Sequence, residues 1–260
     1  MIVRYIVKFG EKVPEEALAK KGELALNISE FFFDTIQGEG TYLGTPAAFL
    51  RLAGCPVNCE FCDTAKVWKT SQRIRVDWLI ERMEEMGLVD RFRVYGAAYH
   101  LVVTGGSPLL QQKNLIKFFY QLFDRFRRDE RPFVELENEC SIVPDNRLLD
   151  IVDIWNCSPK LSNSNVPVEK RYVPEAMKAL HFENCYYKFV VQGESDVEEI
   201  YKKYINPGYV DPLQVTLMPM GATREEYESN REKVVSLAID HGFRYSPREH
   251  IAIWDQKTGI

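Results

Sequence analysis

No apolar run in this 260-residue sequence approaches the roughly 18–20 residues that cross a bilayer, so no membrane association is expected. The opening stretch, Met1 to Gly10, shows no small-residue cleavage site behind a long apolar core. That argues against a secretory signal and for a cytoplasmic protein. A basic surplus is also missing: 33 Lys and Arg stand against 38 Asp and Glu, a formal net charge of −5. Neutralising phosphates needs that surplus, so direct nucleic-acid binding is not expected. Nor is there a low-complexity tract, an internal repeat or a linker rich in Pro, Gly and Ser. What is present is ordinary globular composition, 45% hydrophobic and 27% charged, at a length that buries a sizeable core in one domain or two small ones.

Cysteine is scarce too, six in all, too few for a disulfide scaffold. Three of them crowd into the segment AGCPVNCEFCDT as C-x3-C-x2-C: Cys55, Cys59 and Cys62. In a reducing compartment such a cluster points to a metal site rather than to bridges. Cys140, Cys157 and Cys185 are scattered and read as small buried hydrophobes.

Along the chain, strand patterns alternate with helix patterns. Strands are expected at 46–54, 100–106, 132–138, 151–158, 186–193 and 213–219. Helices are expected near 76–86, 109–127, after Pro144, and near 174–181, 196–204 and 224–240. Such a series of β-then-α units predicts a parallel sheet with helices outside, curling into a partial (β6/α) TIM-like barrel. Residues 1–28 read as an added strand or arm ahead of the barrel domain, 29–260. Polar and glycine-rich residues gather at the C-terminal strand ends, in TGGS, ELEN, CSPK, VVQG and LMPMG, where α/β barrels hold ligands.

Three thiolates suit a zinc ion poorly, because a structural zinc takes four protein ligands. An iron–sulfur cube also takes four ligands, and three cysteines leave one iron open. The spacing with Phe61 before the last cysteine resembles the signature of the radical S-adenosylmethionine enzymes. The resemblance extends through FFFDTIQGEGTYLGTPAAFLRLAGCPVNCEFCDT, VVTGGSPLLQ, SPK and REHIAIW, from about Ser29 to the C-terminus. Together these segments resemble the 7-carboxy-7-deazaguanine synthase family.

That resemblance implies a [4Fe-4S] cluster on Cys55, Cys59 and Cys62, with S-adenosylmethionine on the open iron. It implies a 5′-deoxyadenosyl radical that takes hydrogen from C6 of 6-carboxy-5,6,7,8-tetrahydropterin, followed by ring contraction and loss of ammonia. Phe61, Cys62 and Asp63 would border the cofactor. Arg51 would grip the pterin carboxylate in a two-bond fork, and His250 in the C-terminal tail would lie beside the pterin. Both are candidate catalytic residues. Ile36, Gln37 and Gly38 match the segment that holds the pterin edge; Glu39, Thr104 and the terminal carboxylate of Ile260 join the candidate substrate contacts. Thr64 matches a Mg²⁺ ligand, although a Thr hydroxyl also commonly caps a following turn. Gly105 and Gly106 would let the methionine moiety approach the backbone. Ser158, Pro159 and Lys160 match the segment at the cofactor's ribose and carboxylate. Met218, Pro219, Met220 and Gly221 lie where the family holds adenine, and Gln192 is a further candidate. Core packing is an equally good reading of Met218.

The sequence departs from the family at one point. The usual Gly-Gly-Glu-Pro has a glutamate for the methionine amino group, whereas this chain has Ser107; Glu137 on the next strand end is the expected compensation. An electron donor such as a flavodoxin-type reductase and a homodimer are the expected partners. Two alternatives remain open at this stage: a glycyl-radical-enzyme activase of the same superfamily, and a non-catalytic metal-binding module.

Overall fold

The structure, a computed structural model, describes residues 3–181 and 183–259. Among these, ten strands share one sheet: β1 (Arg4–Val7), β2 (Ala25–Ile36), β3 (Pro46–Leu52), β4 (Gln72–Arg75), β5 (His100–Gly105), β6 (Phe133–Asn138), β7 (Ile154–Cys157), β8 (Cys185–Val191), β9 (Val215–Pro219) and β10 (Arg244–Tyr245). The spatial order is β1-β2-β3-β5-β6-β7-β8-β9-β10, with β4 on the side of β2. β3 and β5 to β9 are the six parallel strands expected from the sequence. β2 runs antiparallel to β3. The two ends of the sheet, β1 and β10, do not pair with each other, so hydrogen bonding leaves the barrel open, a partial TIM-like fold.

Strand alternation decides the two faces. One set of side chains, including Leu50, Leu101, Val103, Leu136, Trp155, Phe189 and Leu217, is buried in the main core beneath helices such as Val76–Glu85, Gln112–Phe123 and Arg224–His241. Full burial of such a side chain contributes roughly 1.5–3 kcal/mol. The alternate set turns inward. It is apolar at the bottom, where Phe32, Ala47, Phe49 and Val102 form a small cluster, and polar above it. The helix Arg224–His241 has the clearest local start signal, a Thr223–Glu226 capping box, and stops at Gly242, whose φ is 68°.

Three elements depart from the sequence reading. The helix expected over 109–127 begins as a 3-10 turn at Pro108–Gln111 and is α-helical only over Gln112–Phe123. The helix expected near 196–204 is α-helical over Glu194–Ile200 and then continues as a π turn, Tyr201–Ile205. The third is β2, twelve residues long, which begins within the expected arm and runs across positions 28 and 29. The segment 1–28 thus supplies β1 and the start of β2 to the same sheet.

β2 is interrupted at Asp34, where its pairing with β3 shifts register and φ is 67°. Its carboxylate accepts from Arg4 Nε at 2.7 Å and Arg91 Nη2 at 2.9 Å, and from Arg91 Nε. Its N–H donates to Tyr99 Oη at 2.9 Å. Burial raises the carboxyl pKa, but the bonds from Arg91 and Arg4 outweigh it and hold the group below the usual range. A depressed folded-state pKa contributes stability above the unfolded value and loses it as pH falls. Asp34→Asn is therefore expected to lower the unfolding free energy by about 1–2 kcal/mol at neutral pH. That difference shrinks once the pH drops below about 3.9. Urea titration across pH checks this, and a pH-independent difference would reject the ion cluster as its source.

Candidate active site

The C-terminal ends of β3 and β5 are pressed together through glycine. A Cβ on Gly105 would stand 2.0 Å from the carbonyl oxygen of Leu52, and one on Gly106 would stand 2.1 Å from that of Gly54. Gly105 has φ +149°, open to glycine and strained for other residues. Gly106 N–H donates to Leu52 O at 3.1 Å and Ser107 N–H to Gly54 O at 2.7 Å. These contacts anchor the start of the cysteine loop, and a Cβ on Gly106 would also lie 2.9 Å from that of Cys55.

Cys55, Cys59 and Cys62 are free, half-buried and line one cavity of about 240 Å³. Burial raises the Cys55 and Cys59 pKa values; backbone N–H groups of Asn58 and Val57 oppose this at Cys55, and Lys160 opposes it at Cys59. Thiols so placed become thiolates readily only against a bound metal centre. Trp68 Nε1 donates to Cys62 Sγ at 3.3 Å, the kind of bond that supports a sulfur ligand. Among the described residues, no group of three or more His, Cys, Asp or Glu side chains is gathered to hold a single metal ion. Three soft donors around a shared cavity do fit a cluster. Thr64 lines the same cavity and lies next to the helix Ala65–Trp68 without a side-chain cap bond. Its Oγ1 is 3.7 Å from Cys62 Sγ.

The inward polar face forms a connected network. Gln37 Nε2 and Asn156 Nδ2 both donate to Glu135 Oε1, and His100 Nδ1 lies 3.1 Å from Glu135 Oε2. Gln37 also donates to Glu137 Oε1 at 3.2 Å, and Thr104 Oγ1 to Glu137 Oε2 at 2.6 Å. Burial raises the Glu135 pKa despite the bonds from His100 and Gln37.

Above this network lie charge pairs. Arg51 Nε donates to Glu30 Oε1 at 2.7 Å, and Glu30 is almost wholly buried. Lys188 Nζ is 3.1 Å from Glu39 Oε2. Arg248 bonds Asp63 through Nη2 and the carbonyl of Gly221 through Nη1. Burial works against the charged form of Glu39, but Lys188, Arg248 and His250 bring its pKa down to about 2. Asp63 likewise resists burial because Arg248, His250 and Arg51 hold it well below the usual carboxylate range. The tail that carries Arg248 is tied down on both sides. Glu249 N–H donates to Gly38 O at 2.8 Å, and Tyr5 Oη donates to Gly259 O at 2.6 Å. A Cβ on Gly38 would meet His250 Nδ1 at 2.7 Å. Asp255 to Gly259 complete the cavity wall.

The cavity thus brings together Ile36, Gln37, Gly38, Glu39, Arg51, the three cysteines, Phe61, Asp63, Thr64, Thr104, Gly105, Gly106, Glu137, Ser158, Lys160, Met218, Gly221 and His250. Five expected residues are not on its wall. Pro159 and Pro219 are buried, and Met220 packs with Val190, Met218 and the partly buried Phe61. Gln192 bonds Asp196 and Met220, and Ser107 is fully buried against Glu139. Ile260 lies outside the described residues. Sequence reading missed Glu30, Glu139, Asn156, Lys188 and Arg248. The available signal was a charge within an otherwise apolar strand, as in EFFF and YYKFVV.

An open α/β barrel with three thiols and a glycine cradle at its C-terminal rim defines a class, the iron–sulfur enzymes of partial-barrel fold. Residues 36–134 match the family described as "4Fe-4S single cluster domain". The fold is shared with the crystal structure of QueE from Escherichia coli, at a TM-score of 0.62 and 22% identity over 88% of this chain and 96% of that one. The chain is 34% identical to the 7-carboxy-7-deazaguanine synthase of Pyrobaculum aerophilum over 87% of its length and 94% of the relative's. It is 31% identical to that of Halobacterium salinarum over 89% and 91%. The chain belongs to the 7-carboxy-7-deazaguanine synthase family.

Arg248→Met leaves Asp63 and Glu39 facing each other without their shared cation. About 2 kcal/mol of unfolding free energy is expected to be lost, since one partner of a largely desolvated pair remains uncompensated. Asp63 is a quarter exposed, which keeps the figure below that of a fully buried pair. Asp63→Asn in the same chain is expected to recover part of the loss. Denaturant unfolding of the wild type, Arg248→Met and the double variant measures this, and no recovery in the double variant would show that the ion pair is not the cause.

Proposed function

We propose that this protein is a radical S-adenosylmethionine enzyme that converts 6-carboxy-5,6,7,8-tetrahydropterin to 7-carboxy-7-deazaguanine with loss of ammonia. The reading is carried by Arg51, a buried-side guanidinium aimed into the cavity that also holds the three cysteines. When bound, the [4Fe-4S] cluster and S-adenosylmethionine supply the electron and the 5′-deoxyadenosyl radical that start the reaction.

The chain's own residues position and enclose. Glu30 takes Arg51 Nε, which leaves the terminal nitrogens of the fork for the substrate carboxylate. Gln37, pinned by Glu135 and Glu137, fixes the loop along which the pterin edge lies, and its backbone groups with those of Ile36 and Gly38 read that edge. Thr104 and Glu39 stand around the ring. His250 stands against Gly38 and faces Asp63, so it bears on the pterin from the tail side. The Thr64 hydroxyl, a hard oxygen free of capping duty, is the proposed protein ligand for Mg²⁺ shared with substrate oxygens. Gly105, Gly106, Ser158 and Lys160 accommodate the methionine and ribose portions of the cofactor. Met218, Gly221 and the apolar group around Phe61 receive its adenine. The tail closes the mouth and keeps water from a reactive radical. A flavodoxin-type electron donor is proposed on the cluster's need for reduction. A homodimer is proposed on the unpaired edges β1 and β10, which a second copy covers.

Anaerobic turnover of the reconstituted enzyme with the carboxytetrahydropterin tests the reading, with product identified by mass. Formation of 7-carboxy-7-deazaguanine is expected, together with a KM raised about tenfold or more in Arg51→Met through loss of a charged hydrogen-bonded anchor. Deoxyadenosine formed without any pterin product would sink the assignment.

A further inference from the structure

We infer that Glu139 is the carboxylate that accepts a hydrogen bond from the amino group of bound S-adenosylmethionine, with Ser107 as its holder. This rests on the reading above that the cavity takes this cofactor. Glu139 follows β6, is only 5% exposed, and lies on the cavity wall. Its two oxygens are treated differently. Oε1 accepts from Ser107 Oγ at 2.9 Å and from Ser141 Oγ, whereas Oε2 is buried with no hydrogen-bond partner.

A buried carboxylate oxygen left without a donor is costly, and a ligand N–H answers it. No ion pair among the described residues supplies the missing donor. Burial raises the Glu139 pKa, and the bonds from Ser141 and Ser107 with the charge of Lys160 oppose it; the side-chain bond that Lys160 Nζ makes is to Ser158 Oγ, 2.8 Å away. Glu139 lines the same cavity as Cys55, and its holder Ser107 directly follows the glycine at which any Cβ would crowd Cys55. Glu139 and the three thiols thus line one cavity, and the unpartnered oxygen belongs to that wall. An acceptor in that place selects an amine over a carboxylate or a phosphate. Ser107, fully buried and off the cavity wall, orients this carboxylate and does not replace it. Glu137, the residue expected from the sequence to compensate, is committed to Thr104 and Gln37.

The test is an anaerobic titration of the reconstituted, reduced protein with S-adenosylmethionine, followed by the change in the cluster's electron paramagnetic resonance signal. Affinities are taken on the cluster-loaded fraction, measured by iron content, so a poorly loading variant still reads. Glu139→Gln is expected to weaken binding about tenfold or more with the unliganded cluster signal unchanged. Ser107→Ala, which keeps the charge but loosens it, is expected to weaken binding by a smaller factor. A deaminated analogue of the cofactor should bind wild type and Glu139→Gln equally. Equal affinity of both proteins for S-adenosylmethionine would overturn the inference while leaving the enzyme reading intact. A wild-type cluster signal that ignores the cofactor would take down both.

Discussion

A charged group on the inner face of a barrel has nowhere to go but toward another charge, and this molecule is organised by that constraint. Arg51 meets Glu30 from the neighbouring antiparallel strand. Lys188 meets Glu39, and Arg248 from the tail meets Asp63 beside the last cysteine. Each pair joins two different segments of the chain, so the pairs do more than neutralise charge: they set where β2, the loop after it, the cysteine loop and the tail stand relative to one another. Removing one partner of such a pair costs more than the pair itself contributes, and that asymmetry holds the cavity wall in one arrangement.

The thiols depend on a different device. The close approach of β3 and β5 at their ends exists because Gly105 and Gly106 carry no side chains, and the cysteine loop starts from that contact. Backbone is thereby brought next to Cys55 while the loop's own N–H groups remain available near its sulfur. Side chains for recognition then come from the inward positions of successive strands, each level set by the parallel register. Arg51 lies opposite Thr104 and Glu137 opposite Asn156. Polar inward positions above an apolar floor divide the fold: the outer face packs the core, and the inner upper face lines the cavity.

Much of this was legible in the sequence. The six parallel strands followed from apolar runs ending in glycine or polar residues, and the helix expected near 224–240 is present over Arg224–His241. The cysteine loop, TGG and the tail motif were readable because their information is contiguous. β2 was less so: EFFFDTI alternates weakly, and Asp34 interrupts it with a left-handed bulge that only the Arg4 and Arg91 partners explain. Glu139 escaped notice for a related reason. In ELENEC two glutamates sit two residues apart, and nothing local distinguishes the one bonded to Thr104 from the one bonded to Ser107.

The sequence by itself determined the six parallel strands, the helices between them, the three-thiolate loop and the family, because helix and strand periods, glycine positions and C-x3-C-x2-C spacing are short-range properties written in neighbouring residues. The tertiary structure decided which charges face which, that Glu30 orients Arg51, that Arg248 closes on Asp63, and that one oxygen of Glu139 is buried without a donor on the cavity wall. Those outcomes depend on strand register and on where the tail docks, and both are set by contacts between residues tens to hundreds of positions apart.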